Sequence, residues 1–171
     1  DITVNEGDVA GCDGTKAEGW RVWTPIAPNT ATYAGKFDGQ GHTISGLYFN
    51  NEEEDDVGIF GQLCDGGEIQ NVGLKNSYFR GRNYIGGICG SNYKTGTIRN
   101  CYSEANVTGV VDSRSGADIG GVVGKNNGTV ENCYNTGNVV GDKWVGGVCG
   151  YNDGTNNNCY NTGKVTGTSD V

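Results

Sequence analysis

The sequence predicts an all-β chain wound into a parallel β-helix, a three-faced solenoid of stacked, glycine-rich coils. Three observations predict it. One motif is written four times, most clearly from Ile119-Gly-Gly-Val-Val-Gly-Lys-Asn-Asn-Gly to Gly141. Its first anchors, Gly61, Gly90, Gly124 and Gly150, stand 29, 34 and 26 residues apart, the range in which a repeated period marks a solenoid. The apolar pieces inside each copy are short and separated by Gly, Asn and Thr, which suits strands and excludes helices.

Residues 1–36 do not match the repeat and are expected to form an irregular first rung, the cap that solenoids carry at their ends. Asp1-Ile-Thr-Val4 and Trp20-Arg-Val-Trp-Thr-Pro-Ile26 read as strands, with Pro25 and Pro28 confining the second to an edge. Coils then follow at 37–56, 57–84, 85–118, 119–144 and 145–171, one continuous domain. In the first of them Ile44, Leu47 and Phe49 should face inward after a bend at Gly46, where glycine permits positive φ. The run Glu52, Glu53, Glu54, Asp55 and Asp56 is expected as an exposed loop, because adjacent carboxylates cannot be buried without neutralisation.

Within the third copy the pieces Ile-Gly-Gly-Val-Val, Thr-Val-Glu-Asn-Cys-Tyr and Asn-Val-Val supply the three faces. Like should stack on like. That gives a thiol ladder of Cys101, Cys133 and Cys159 and a ring ladder of Tyr102, Tyr134 and Tyr160. A third, apolar column takes Phe79, Val107, Val139 and Val165. Asn71, Asn100, Asn132 and Asn158 are expected to form a ladder at a corner, since Asn tolerates the left-handed region and bonds its neighbours through the side-chain amide. Val110 to Ala117 are extra and should loop out, while Asn156 replaces the apolar Ile69, Ile98 and Val130 of the other copies.

The seven cysteines follow the repeat rather than a disulfide framework. Cys89 and Cys149 share a position with Val123, so the site wants a small apolar side chain, which a free thiol is. Neighbours in the thiol ladder, about 4.8 Å apart, lie within disulfide reach. Cys89 and Cys149 are two coils apart, roughly 9.6 Å, beyond the limit of about 7 Å. Reduced thiols are expected throughout; Cys12 and Cys64 stand outside the columns.

The net charge of -8 argues against nucleic acid, whose phosphates call for clustered Lys and Arg. No run approaches the roughly eighteen apolar residues of a membrane span, so no membrane insertion is expected. Asp1-Ile-Thr-Val is not a signal peptide and the chain has no Met. It is therefore expected to be a piece of a longer exported polypeptide, with the rest of the parent at both ends.

Residues 120–139, Gly-Gly-Val-Val-Gly-Lys-Asn-Asn-Gly-Thr-Val-Glu-Asn-Cys-Tyr-Asn-Thr-Gly-Asn-Val, resemble the GLUG repeat of bacterial surface proteins, adhesins and IgA-specific metallopeptidases. Trp23-Thr-Pro-Ile26 with Phe37-Asp-Gly-Gln-Gly-His-Thr-Ile-Ser-Gly-Leu47 is similar to the segment that precedes such repeats. The resemblance implies a right-handed parallel β-helix serving as stalk or adhesive module at the bacterial cell surface. Where such a parent is a peptidase, its zinc site lies elsewhere, and no His-Glu-x-x-His occurs here.

Catalytic constellations are missing from the sequence. His42 is the single histidine; it lacks metal-ligand spacing or an acid–base partner and is expected as a turn residue beside Phe37. Polysaccharide cleavage needs carboxylates on adjacent coils facing a groove. Asp38, Asp112, Asp118, Asp142 and Asp153 are scattered singles in turn chemistry. Glu52, Glu54, Asp55 and Asp56 have the hard oxygens that Ca2+ takes but no EF-hand spacing, and a solvated acidic loop is the preferred reading. Gly120 to Lys125 fails the phosphate-loop spacing.

Among the aromatics outside the ladder, Trp20 and Trp23 are expected to fill the cap. Trp144, Tyr93 and Tyr151 are the candidates for binding. The expected function is a non-enzymatic adhesion or spacer segment, extracellular or at the cell surface, whose partner is a host or cell-wall glycan or a protein receptor. The alternatives are a carbohydrate-binding module and a polysaccharide-active β-helix. What the third copy does not share with its sisters, Lys125 and the loop ahead of it, is where a specific function would have to reside.

Overall fold

The computed structural model describes residues 1–110 and 117–171. The loop expected between Val110 and Ala117 thus lies, but for its two ends, outside the described residues, as does Asp112. Every described element is a strand of two to four residues, and all the pairings between them are parallel. The strands stack into a β-solenoid of about four turns.

Each full coil supplies five strands to five sheets. The third copy gives Ile119–Gly120, Val123–Asn126, Thr129–Glu131, Tyr134–Asn135 and Val139–Val140. The three expected pieces are therefore subdivided. Ile-Gly-Gly-Val-Val breaks between its glycines and Val123, and Thr-Val-Glu-Asn-Cys-Tyr breaks at Asn132, where φ is +52°. A left-handed residue turns the chain sharply, so no strand runs through it.

Register follows the repeat. Ile98 pairs with Ile69 and Val130, Val107 with Phe79 and Val139, and Tyr134 with Tyr102 and Tyr160. Asn71, Asn100, Asn132 and Asn158 share φ values of +52° to +54°. Their amides form a ladder on the outside of a corner: Asn100 donates to Asn71 at 3.0 Å, Asn132 to Asn100 at 3.3 Å and Asn158 to Asn132 at 2.6 Å. Asn71 extends it to the carboxylate of Asp38 at 3.0 Å. The tyrosine rings stack with centroids 5.0 and 5.1 Å apart.

One apolar core runs inside the coils from Leu47 to Val148. The bend at Gly46, φ +74°, turns the first coil as expected, leaving Leu47 and Phe49 buried and Ile44 half-buried. Val130 pairs with Asn156, and the last coil is largely exposed. All seven thiols are free. Cys89, Cys101 and Cys133 are buried, and burial pushes the Cys149 thiol up to about 12.

The first 36 residues stack less regularly. Ile2–Thr3 pairs with Thr43–Ser45, but Trp20 to Ile26 form no strand. Val22, Ile26 and Tyr33 each make one isolated bridge, to Tyr48, Phe60 and Leu63. Two prolines in this stretch remove the amide donors that a ladder would need. Trp23 packs on the main core and donates its indole N–H to the Gly58 carbonyl at 3.1 Å. Trp20 instead joins Val9, Cys12, Tyr48 and Tyr78 in a second cluster.

One expectation is refined and another corrected. His42 occupies a turn with its side chain exposed, Nδ1 3.4 Å from the amino group of Asp1, and lines one hollow with Phe37, whose ring packs against Phe60, centroids 5.3 Å apart. The acidic run is not uniformly exposed: Asp56 is buried, 4% exposed, because Ser91 and Gln62 bring hydrogen bonds to it.

Candidate functional site

The site is built at the corner where each coil begins. Val57, Ile85, Ile119 and Val145 stack in one buried column, so the residues before them, Asp56, Tyr84, Asp118 and Trp144, line up along the solenoid. Asp56, Tyr84 and Trp144 hold φ of +56°, +55° and +47°. Left-handed φ costs a non-glycine residue about 1–2 kcal/mol, and bulky aromatics seldom take it. The anchor glycines make room for this corner. A Cβ on Gly90 would lie 2.6 Å from the backbone of Asp56, and one on Gly124 or Gly150 would strike the backbone of Tyr84 or Asp118, respectively.

Beside this column runs a second, from the outward positions of the next strand: Gln62, Ser91, Lys125 and Tyr151. The pairings across the two columns differ from coil to coil. At Asp56 the arrangement is closed. Gln62 Nε2 donates to one carboxylate oxygen at 2.7 Å and Ser91 Oγ to the other; burial raises the pKa while these hydrogen bonds oppose the rise.

Two coils further on, the same position is open. Asp118 is 5% exposed, and burial pushes its pKa up to about 6 against the attraction of Lys125. Among the described residues no side chain donates a hydrogen bond to its carboxylate. Lys125 Nζ lies 5.3 Å from the ring centre of Tyr84 and 5.7 Å from that of Tyr151, a cation held between two π faces. Trp144 and Tyr151 meet at 72° with centroids 6.4 Å apart, and both are about two-fifths exposed, 40% and 39%. Together Asp118, Lys125, Tyr84, Trp144 and Tyr151 line a cleft of about 250 Å³, completed by Asn127 and Asp153.

Of the binding candidates, then, Trp144 and Tyr151 come together, while Tyr93 lies on a neighbouring shallow hollow with Cys64, Asp65 and Lys94. Lys125, singled out as unique to its copy, sits in the cleft. Tyr84 was missed, as was the grouping of Asp118 with Asp153. The signal available was the one position of the repeat that alternates acid and aromatic, Asp56, Tyr84, Asp118, Trp144, where the two columns that follow it in the chain stay apolar and glycine.

The four carboxylates considered for Ca2+ diverge. Glu52 pairs with Arg80, Glu54 accepts from Asn29 at 3.2 Å, and Asp55 takes a two-pronged contact from Arg82 at 2.9 and 2.8 Å. Asp56 turns inward. Among the described residues no group of three or more His, Cys, Asp or Glu is placed to hold a metal ion, and no helix is long and apolar enough to cross a membrane.

The coils and their columns define a parallel β-solenoid assembled from one short repeat. The GLUG motif matches residues 81–108 and 115–140, so the chain carries GLUG-motif repeats in two of its coils. It is similar to Halomucin of Haloquadratum walsbyi, 39% identical over 99 residues, 56% of this chain and 1% of that protein. It is also similar to a protein of Evansella cellulosilytica described as a Gly-rich membrane protein, 31% identical over 85 residues, 48% of this chain and 10% of that one. The matched region thus spans a tenth or less of these curated relatives. No solved structure matches the chain.

Proposed function

We propose that this chain is a non-enzymatic spacer and adhesion segment of a surface protein. The observation that carries the reading is the in-register stacking of every coil on its like, which builds a rod by repetition and leaves its outer columns free to vary. A rod whose coils touch only their neighbours extends without changing its interior. The names of the two relatives, one a Halomucin and one a membrane protein, support a location at the cell surface, and the small share of each that is matched suits one module in a long chain.

Beads carrying the purified chain at its C-terminus, passed in flow over a mucin-coated and a bare surface, test the adhesive role. Retention on mucin above the bare surface is expected; equal retention on both would remove adhesion and leave the spacer.

One observation favours a second reading. Asp118, with its raised pKa, and Asp153 line one cleft, and two carboxyl groups of which one has a raised pKa are the equipment of glycoside hydrolysis. Incubation with pectin, xylan and mucin should release no reducing ends. Their release by the wild type and not by Asp118→Asn would establish the enzymatic alternative instead.

A further inference from the structure

Two positions of one column carry the same acid in opposite conditions. Asp56 has both carboxylate oxygens engaged by Ser91 and Gln62 and is a structural group. Asp118, at the equivalent place two coils on, has a cation nearby and no hydrogen-bond donor among the described side chains. Its side chain lines the cleft, where a donor brought by a ligand can reach the carboxylate, and a hydrogen bond to a charged group is among the stronger ones. The cleft in front of it supplies the room and two aromatic walls.

We propose that the cleft formed by Asp118, Lys125, Trp144 and Tyr151 is a binding subsite for a neutral pyranose ring. The proposal deepens the adhesive reading above by naming the class of ligand. A sugar ring offers apolar C–H faces and a rim of hydroxyl groups, and the cleft offers matching parts. The exposed rings of Trp144 and Tyr151 meet nearly at right angles, one to stack under the ring and one to close its edge. Asp118 and Asp153 accept from hydroxyls, and Asn127 both accepts and donates. Pockets for drug-sized ligands run from about 300 to 1,000 Å³. At about 250 Å³ this one takes a single ring, with neighbouring sugars passing along the coil corner.

Charge excludes the two other kinds of sugar. An anionic uronate would meet two carboxylates, and the single cation, Lys125, is already occupied by the faces of Tyr84 and Tyr151. A cationic amino sugar would meet the like charge of Lys125 beside Asp118, and its remaining counter-charge, Asp153, is exposed, where an ion pair is worth at most about 1 kcal/mol.

The test uses the purified chain at pH 7.5 and five probes followed by saturation-transfer NMR: methyl β-glucopyranoside, methyl β-galactopyranoside, methyl α-mannopyranoside, glucuronate and glucosamine. At least one neutral glycoside should bind saturably, with a Kd on the order of 1 mM or below, and neither charged sugar should bind as well. Trp144→Ala and Asp118→Asn should each weaken that binding about tenfold. Tyr151→Ala, an exposed position, provides a wall deletion that leaves the corner turn intact and should weaken it likewise. Tyr93→Ala, outside the cleft, should leave it unchanged.

The proposal is overturned if no neutral glycoside saturates, if glucuronate or glucosamine binds better, or if the wall and Asp118 variants bind as the wild type does. Bead retention on mucin separates this from the broader reading. Retention without glycoside binding defeats the sugar subsite and keeps adhesion; loss of both defeats both.

Discussion

At the scale of single residues, Asp118 makes stability depend on pH. Its ordinary pKa of about 4 is raised in the folded chain to about 6. The folded state therefore holds the proton more tightly than the unfolded one, and the contribution of Asp118 to stability is highest below pH 4. It falls as pH rises through about 6 and is flat beyond, a change on the order of 2 kcal/mol. The groups facing Asp118 across the cleft are Lys125, Tyr84, Tyr151, Trp144 and Asp153, and of these only Lys125 favours its ionised form. Urea midpoints at pH 4.5 and 7.5 should show the wild type losing about 2 kcal/mol relative to Asp118→Asn between the two. A constant difference would mean that the carboxyl titrates normally.

Asn132 illustrates a different residue-level demand. It holds φ +52° and joins two ladder bonds, to Asn100 and from Asn158. Replacement by Ala loses the bonds and adds backbone strain, about 1–2 kcal/mol on denaturation, whereas Gly relieves the strain and should cost less. Equal losses from Ala and Gly would leave the strain term without support.

At the scale of strands and columns, the interior is what the repeat protects. Ile98 is fully buried between Ile69 and Val130, so Ile98→Ala should cost about 2–5 kcal/mol by chemical denaturation. Three thiols belong to the same interior. Cys89, Cys101 and Cys133 are buried, and Cys133 is pushed up to about 12, first by its contact with Cys101 and also by burial. Titration with an aromatic disulfide reagent at pH 8 should label Cys12 and Cys64 first and the buried three only on unfolding, because thiolate is the reactive form. Rapid reaction of all seven would mean that the columns are open.

The whole molecule behaves as a one-dimensional array, so its stability should be graded along the axis. The last coil, with Cys149–Asn152, Thr155–Asn157 and Tyr160–Asn161, is mostly exposed, and Asn156 occupies the place of Val130. Hydrogen exchange in its strands should run at least about tenfold faster than in Cys89–Asn92 and Thr97–Arg99, two coils inward. Uniform exchange from end to end would indicate a single cooperative unit.

The solenoid was legible in the sequence because like must stack on like: a repeated Ile, Val, Cys or Asn records its own neighbours. The residue-by-residue register of Ile69, Ile98 and Val130, the ring ladder and the Asn corner all followed from that rule. The subdivision into five strands per coil did not, since it depends on backbone angles at Gly and Asn that periodicity leaves open. Nor did the cleft.

Trp144 and Tyr151 could be named as exposed aromatics, but their meeting with Asp118 and Lys125 joins residues from two coils across two columns. The fate of the acids was also decided in three dimensions. Asp56 and Asp118 are the same residue at the same repeat position, and only the side chains stacked beside them, Ser91 and Gln62 in one case and Lys125 in the other, make one a closed joint and the other an open site. The repeat sets which position faces the corner; the company that position keeps there sets its chemistry, because a carboxylate in a low-dielectric site is governed by its nearest donors and charges.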